Sequence, residues 1–147
     1  MINLRLIPSD FTPVDFNHNV IKITKINLES RIKLIESSIE CFNDEIQWDG
    51  MYNIEEAIKR IENSDILYIG MNDLGVIGHT WFNSHLDGRK VFNLFVRNKI
   101  HKKDYSGKEF LSDVISRFEN NKTIYCEVDE WNTKSLQLLQ RLGFQVQ

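Results

Sequence analysis

The chain has 147 residues, 41% hydrophobic and 27% charged, with a formal net charge of −3. That length suits one domain (1–147) with one buried core, and the charge gives no electrostatic case for nucleic acid. No apolar run approaches a membrane span, and MINLRLIPSD lacks the apolar stretch of a secretory leader, so the expectation is a cytoplasmic protein.

Ile2, Leu4 and Leu6 alternate with polar residues, a short strand pattern ended by Pro8. SDFTPVDFNHN reads as loop, and Val20–Ile26 as a second strand. A helix starts at Asn27 or Glu29 and places Ile32, Ile35, Ile39 and Phe42 on one face. CFNDEIQWDGMYN follows without a clear period. Asn53 is the expected N-cap of IEEAIKRIEN, whose apolar stripe is Ile54, Ala57, Ile58 and Ile61. Asp65–Met71 reads as a strand, NDLG as a hairpin turn and Val76–His85 as the returning strand.

The stretch from Val91 to Leu111, VFNLFVRNKIHKKDYSGKEFL, joins a strand to a helix through a basic loop and Gly107. A strand feeding a helix in this way leaves several N–H groups pointing one way, at the positive end of the helix dipole. Such a start binds anions; the plainer reading is that Gly107 only makes a turn. Phe110, Val114, Ile115 and Phe118 form the buried stripe of that helix. Thr123–Val128 is the next strand, and Asn132 opens a last helix with Leu136, Leu139 and Leu142 inward and Gly143 as its C-cap. Val91–Val96, the helix and Thr123–Val128 make a βαβ unit with parallel strands. The fold class is mixed α/β (α+β), a mostly antiparallel central sheet with helices on both faces. Cys41 and Cys126 form no CxxC pair and read as free thiols, and the scattered histidines predict no metal site.

Two places carry a resemblance to a known family. YSGKEFLSDVI is similar to Y-R-G-x-G-[I/V]-G/A-x-x-L-[L/I], and NTKSLQLLQRLGF to N-x-x-[A/S]-x-x-[L/F]-Y-x-x-x-G-F. Both are motifs of the GNAT superfamily of acetyl-CoA-dependent N-acetyltransferases, and ILYIGMNDLGVIGHTWF resembles the hairpin of that family. The resemblance runs from about Val20 to the end. It departs at Ser106, where Arg or Gln is usual, at Glu109 and Leu111, which replace two small residues, and at Leu139, where a Tyr often protonates the departing thiolate.

The resemblance implies a site. Phe95, Val96 and Arg97 of a splayed strand would supply backbone groups to acetyl-CoA. Ser106, Gly107, Lys108, Glu109, Phe110 and Leu111 would face its pyrophosphate, with the Glu109 carboxylate opposing it. Lys99, His101, Lys102, Lys103 and Lys108 make the loop basic, which attracts a polyanion or is simply a solvated loop. Asn132 would bond the pantetheine arm, or act only as a helix cap. His79 and Glu127 are the candidates for proton transfer, each with an ordinary structural reading beside it. Cys126 reads as a buried inert thiol. Asp44, Trp48 and Tyr52, in an acidic and aromatic segment, suit a cationic amine through charge and cation–π contact, or form a solvated connection.

The expected function is transfer of an acetyl group from acetyl-CoA to a primary amine of a small molecule, with no nucleic acid and no membrane as partner. The alternatives are a catalytically weak or inactive GNAT-fold protein that binds CoA or another ligand, and an interaction subunit. Only Phe144 to Gln147 follow Gly143, too few for the terminal hairpin usual in the family. Ile2–Leu6 is therefore expected to fill the vacated sheet edge in the same molecule or on a partner in a homodimer, or to pair beside Val20–Ile26.

Overall fold

The computed structural model describes residues 1–45, 53–84, 90–97, 105–118 and 122–147. In chain order the strands are β1 (Ile2–Leu6), β2 (Asn19–Ile23), β3 (Ile66–Asn72), β4 (Gly75–Ser84), β5 (Lys90–Arg97), β6 (Ile124–Val128) and β7 (Gln145–Val146). The helices are α1 (Ile32–Glu45), α2 (Ile54–Glu62), α3 (Gly107–Ser116) and α4 (Thr133–Leu142). The chain forms two compact units. The first holds Met1–Phe16, Asn83–Asn93 and Tyr105–Gln147; the second holds Asn17–Phe82 and Leu94–Asp104.

In the second unit, β3 pairs antiparallel with β2 on one side and β4 on the other. Alternation puts Ile23, Leu67, Ile69 and Trp81 on one sheet face. There they pack with Ile35 and Ile39 of α1 and Ala57 and Ile61 of α2, all buried. Each fully buried aliphatic contributes about 1.5–3 kcal/mol, so this face is the main stabiliser of the unit. Helix α2 starts as its sequence dictates: the Asn53 side chain accepts the Glu56 N–H at 3.0 Å. Strand β2 ends at Ile23, earlier than its apolar pattern, because Asn27 folds the chain back. Its Oδ1 accepts the Thr24 N–H and its Nδ2 donates to the Lys22 carbonyl, both at 2.9 Å. That leaves Ile26 exposed. The following helix also begins later than expected, after a 3-10 turn at Glu29–Arg31, and runs on to Glu45.

In the first unit the strand order is the opening residues of β5 (Lys90–Asn93), then β6, β1 and β7. Strand β1 lies antiparallel to β6, from Ile2 opposite Val128 to Leu6 opposite Ile124. The N-terminal strand thus fills the sheet edge in the same molecule. It does not pair with β2, whose ladder is with β3. Strand β7 adds a short rung beyond it, with Val146 opposite Leu4 and Gln145 opposite Arg5. One face of β1 and β6 buries Leu4, Leu6, Ile124, Cys126 and Val128; the other carries Asn3, Arg5 and Glu127, all exposed. Helix α3 buries Phe110, Leu111, Val114 and Ile115, and α4 buries Leu139 and Leu142.

The segment read as loop is pinned to α3. The Val14 N–H donates to Ser112 Oγ at 2.7 Å, and the Phe16 ring stands edge-on to Tyr105 and Phe110, 5.4 Å from each. Gly143 ends α4 at φ +108°, where a Cβ would lie 2.7 Å from the Asp10 carbonyl oxygen. Only glycine fits that close approach in that conformation. Among the described residues no helix is long and apolar enough to cross a membrane.

Candidate functional site

Helix α3 starts at Gly107, three residues before Phe110, the first member of its buried stripe. Ser106 caps it: Ser106 Oγ accepts the Glu109 N–H at 3.2 Å, and Glu109 Oε1 accepts the Ser106 N–H at 3.1 Å. This reciprocal pair satisfies two of the four donors that a helix start leaves over. The N–H groups of Gly107 and Lys108 have no acceptor within the helix. The carboxylate that opposed a pyrophosphate in the sequence reading is turned back onto the cap. Ser106-x-x-Glu109 is itself the sequence signature of such a cap, and it was there to be read.

The same unit holds the short parallel pairing of β5 with β6. Among the described residues the parallel ladder between β5 and β6 has two rungs, Lys90 with Ile124 and Val91 with Tyr125. Strand β5 continues to Arg97 and β6 to Val128. Among the described residues this ladder has no rung beyond Val91 and Tyr125. A strand edge without a ladder partner exposes N–H and C=O groups to an extended ligand. Phe95, Val96 and Arg97 lie in β5, with their side chains outside the described residues.

Glu127 is in β6, two residues past the last rung, with its side chain exposed. Tyr125 is half-buried on the same strand face. Between them Cys126 is buried, and its thiol is pushed up to about 12, first by burial and then by the neighbouring Glu127. A thiol so held is no nucleophile at neutral pH. Asn132 caps α4, its Oδ1 accepting the Ser135 N–H at 3.3 Å. Its amide nitrogen is left for a further bond. Leu139, at the family's tyrosine position, is 1% exposed. It brings no proton to the site.

His79 belongs to the second unit. It lies opposite Ile69 on the core face of β4 and is fully buried. Burial, and then the charge of Arg60, lower its pKa from 6.5 to about 3. The imidazole is therefore neutral throughout the physiological range and a weak proton acceptor. Arg60 was not singled out in the sequence. Its guanidinium carbon sits 4.3 Å from the centre of the Trp81 ring, and its Nε donates to Asp65 Oδ2 at 3.1 Å.

Asp44 lies in the last turn of α1, with its side chain outside the described residues, and Trp48 and Tyr52 fall outside them altogether. Lys99, His101, Lys102 and Lys103 do so too, so the basic loop is represented by Lys108 alone. Among the described residues no three His, Cys, Asp or Glu side chains gather as a metal site.

No protein-family model and no curated protein sequence matches this chain. Solved structures do. A conserved protein of unknown function from Staphylococcus epidermidis superposes with a TM-score of 0.71 at 10% identity, over 99% of this chain and 57% of that one. The chain thus spans somewhat more than half the length of that neighbour. The ribosomal-protein-S18-alanine N-acetyltransferase of Escherichia coli superposes with a TM-score of 0.65 at 10% identity, over 86% and 76% of the two chains. AAC(6')-Iy, solved with the bisubstrate analogue CoA-S-monomethyl-acetylneamine, gives 0.60 at 14% identity, over 88% and 92%.

Proposed function

Since this chain has the fold of the GNAT acetyltransferases, we propose that residues 1–147 act as one acyltransferase domain. The reaction is transfer of an acetyl group from acetyl-CoA to a primary amine of a small molecule. The observation that carries this reading is the parallel β5–β6 ladder, two rungs long among the described residues, in a unit that also holds the capped start of α3.

The residues fit the cofactor. The Gly107 and Lys108 amides stand at the positive end of α3, where a pyrophosphate gains both charge and donors. The half-buried Lys108 side chain adds a cation. The edge of β6 beyond Tyr125, with the Asn132 amide, suits the amides of a pantetheine arm. Bound there, acetyl-CoA supplies an activated thioester and a good leaving group. The chain's own part is to hold the amine against it and take up a proton, because an ammonium has no lone pair for attack. Glu127 is the proton acceptor in this reading: it is exposed, on β6 beyond Tyr125, and beside the expected path of the thioester. Holding two reactants in place is worth several orders of magnitude by itself, so a modest base is enough.

A second reading, a CoA-binding protein without turnover, is favoured by Leu139, which leaves the departing thiolate without a tyrosine donor. One experiment separates the two. Calorimetry with acetyl-CoA tests the site, and release of free thiol on offering a panel of amines tests the chemistry. Binding with thiol release supports the acyltransferase. Binding without release from any amine leaves the binder, and absence of binding removes both readings.

A further inference from the structure

The polar face of β1 and β6 has a charge pattern that neither strand needs for folding. Arg5 stands opposite Tyr125, and Asn3 opposite Glu127, on the face away from Leu4, Leu6, Ile124 and Cys126. Arg5 and Glu127 are therefore diagonal neighbours, about 7–8 Å apart at the backbone. Both are exposed, and neither forms an ion pair with the other or with any described residue. Gln145 flanks Arg5 from β7. Among the described residues the result is one exposed cation and one exposed anion as diagonal neighbours on the sheet. Glu127 also lies two residues past the last described rung to β5.

We propose that the acceptor is a small zwitterion, an amino acid whose ammonium meets Glu127 and whose carboxylate meets Arg5. The proposal rests on the acyltransferase reading and names its substrate class. A guanidinium binds a carboxylate through two parallel N–H···O bonds, which orients the ligand as well as attracting it. The span between the two side chains suits charges separated by a few bonds. In the reaction one ammonium proton passes to Glu127, leaving a neutral amine. The nitrogen then bonds the acetyl carbon, the carbon–sulfur bond breaks, and the second proton goes to the departing sulfur. The products are the N-acetyl amino acid and free CoA. Arg5 is a specificity residue here: it touches the acceptor but takes no part in the proton transfer.

The test uses the full chain with acetyl-CoA. Each of the twenty standard L-amino acids is offered beside its carboxamide and its decarboxylated amine, and thiol release is followed. For at least one amino acid we expect kcat/KM to exceed that of both neutral-ended analogues by at least tenfold. Arg5→Gln should raise KM for that amino acid about tenfold with kcat nearly unchanged, and leave the carboxamide where it was. Arg5→Lys should recover part of the loss. A thermal melt of Arg5→Gln checks that this exposed substitution leaves the fold intact. The proposal is overturned if carboxamides or plain amines are used as well as the acids, or if Arg5→Gln keeps the discrimination. Acetyl-CoA calorimetry tells the failures apart: binding without a preference for acids removes this inference alone, and no binding removes the acyltransferase reading with it.

Discussion

Ser106 and Glu109 hold each other across the first turn of α3, with N–H···O distances of 3.2 and 3.1 Å. The carboxylate does two opposing things. It closes the cap, worth about 1 kcal/mol, and it keeps a negative charge near the amides of Gly107 and Lys108. Glu109→Gln retains the cap geometry and removes the charge. Its expected effect is an unchanged melting temperature with CoA bound more tightly, roughly fivefold or about 1 kcal/mol. Glu109→Ala should instead lose about 1 kcal/mol of stability. Calorimetry and urea melts on both variants read the two effects separately, and equal CoA affinity in Glu109→Gln would dissociate this helix start from the cofactor.

Leu4 and Leu6 are 0% and 1% exposed, which makes β1 part of the core and not an appendage. Leu4→Ala should cost about 2–5 kcal/mol in a urea titration. Deleting residues 1–6 would bare the β6 edge from Ile124 to Val128, and bare edges pair with other chains. Light scattering should then show association that the full chain lacks.

Much of this was legible in the residues. The period-two pattern of Ile2, Leu4 and Leu6 predicts a strand but leaves its partner open between the sheet edge and Val20–Ile26; the pairing with β6 decides it. Motif and cap chemistry fixed α2 and α4 through Asn53, Asn132 and Gly143, since these signals act within one turn. The start of α3 at Gly107 follows from the local Ser106–Glu109 cap, which the buried stripe from Phe110 does not reveal. The extent of β2 was misjudged because Asn27 was read as a helix start and not as a turn onto Lys22. His79 carried both a structural and a catalytic reading in the sequence, and its register opposite Ile69 on the core face of β4 decides for the structural one. Arg5 passed unnoticed because only the β1–β6 register places it diagonal to Glu127.

Gly143 and Gly75 offer a matched pair of substitutions. Both have positive φ, +108° and +125°. At Gly75 an added Cβ meets nothing within 4 Å, so Gly75→Ala carries backbone strain alone, about 1 kcal/mol or somewhat more. At Gly143 the same methyl would come within 2.7 Å of the Asp10 carbonyl oxygen and 3.1 Å of Leu6 Cδ1. Backbone on one side and β1 on the other leave it nowhere to go. Gly143→Ala should cost roughly 2–4 kcal/mol, clearly more than Gly75→Ala, by equilibrium denaturation. Equal losses would show that the segment carrying Asp10 yields freely.

The last prediction concerns acid. His79 is buried and neutral, with a pKa lowered from 6.5 to about 3 by burial and then by Arg60. Above pH 6.5 the folded and unfolded chains both carry a neutral imidazole, so this residue adds no pH dependence. Between 6.5 and 3 the unfolded chain binds a proton that the folded one refuses. More protons on the unfolded state mean that stability falls as pH falls through this window. The loss should approach a few kcal/mol by pH 4. Carboxylates contribute their own acid loss, so the variant His79→Asn is the control: its stability should be flatter between pH 6.5 and 4.5 than that of the parent chain. Urea midpoints measured at half-unit steps decide it. Parallel curves for the two proteins would mean that His79 charges without cost, and would place water or an acidic partner at the imidazole.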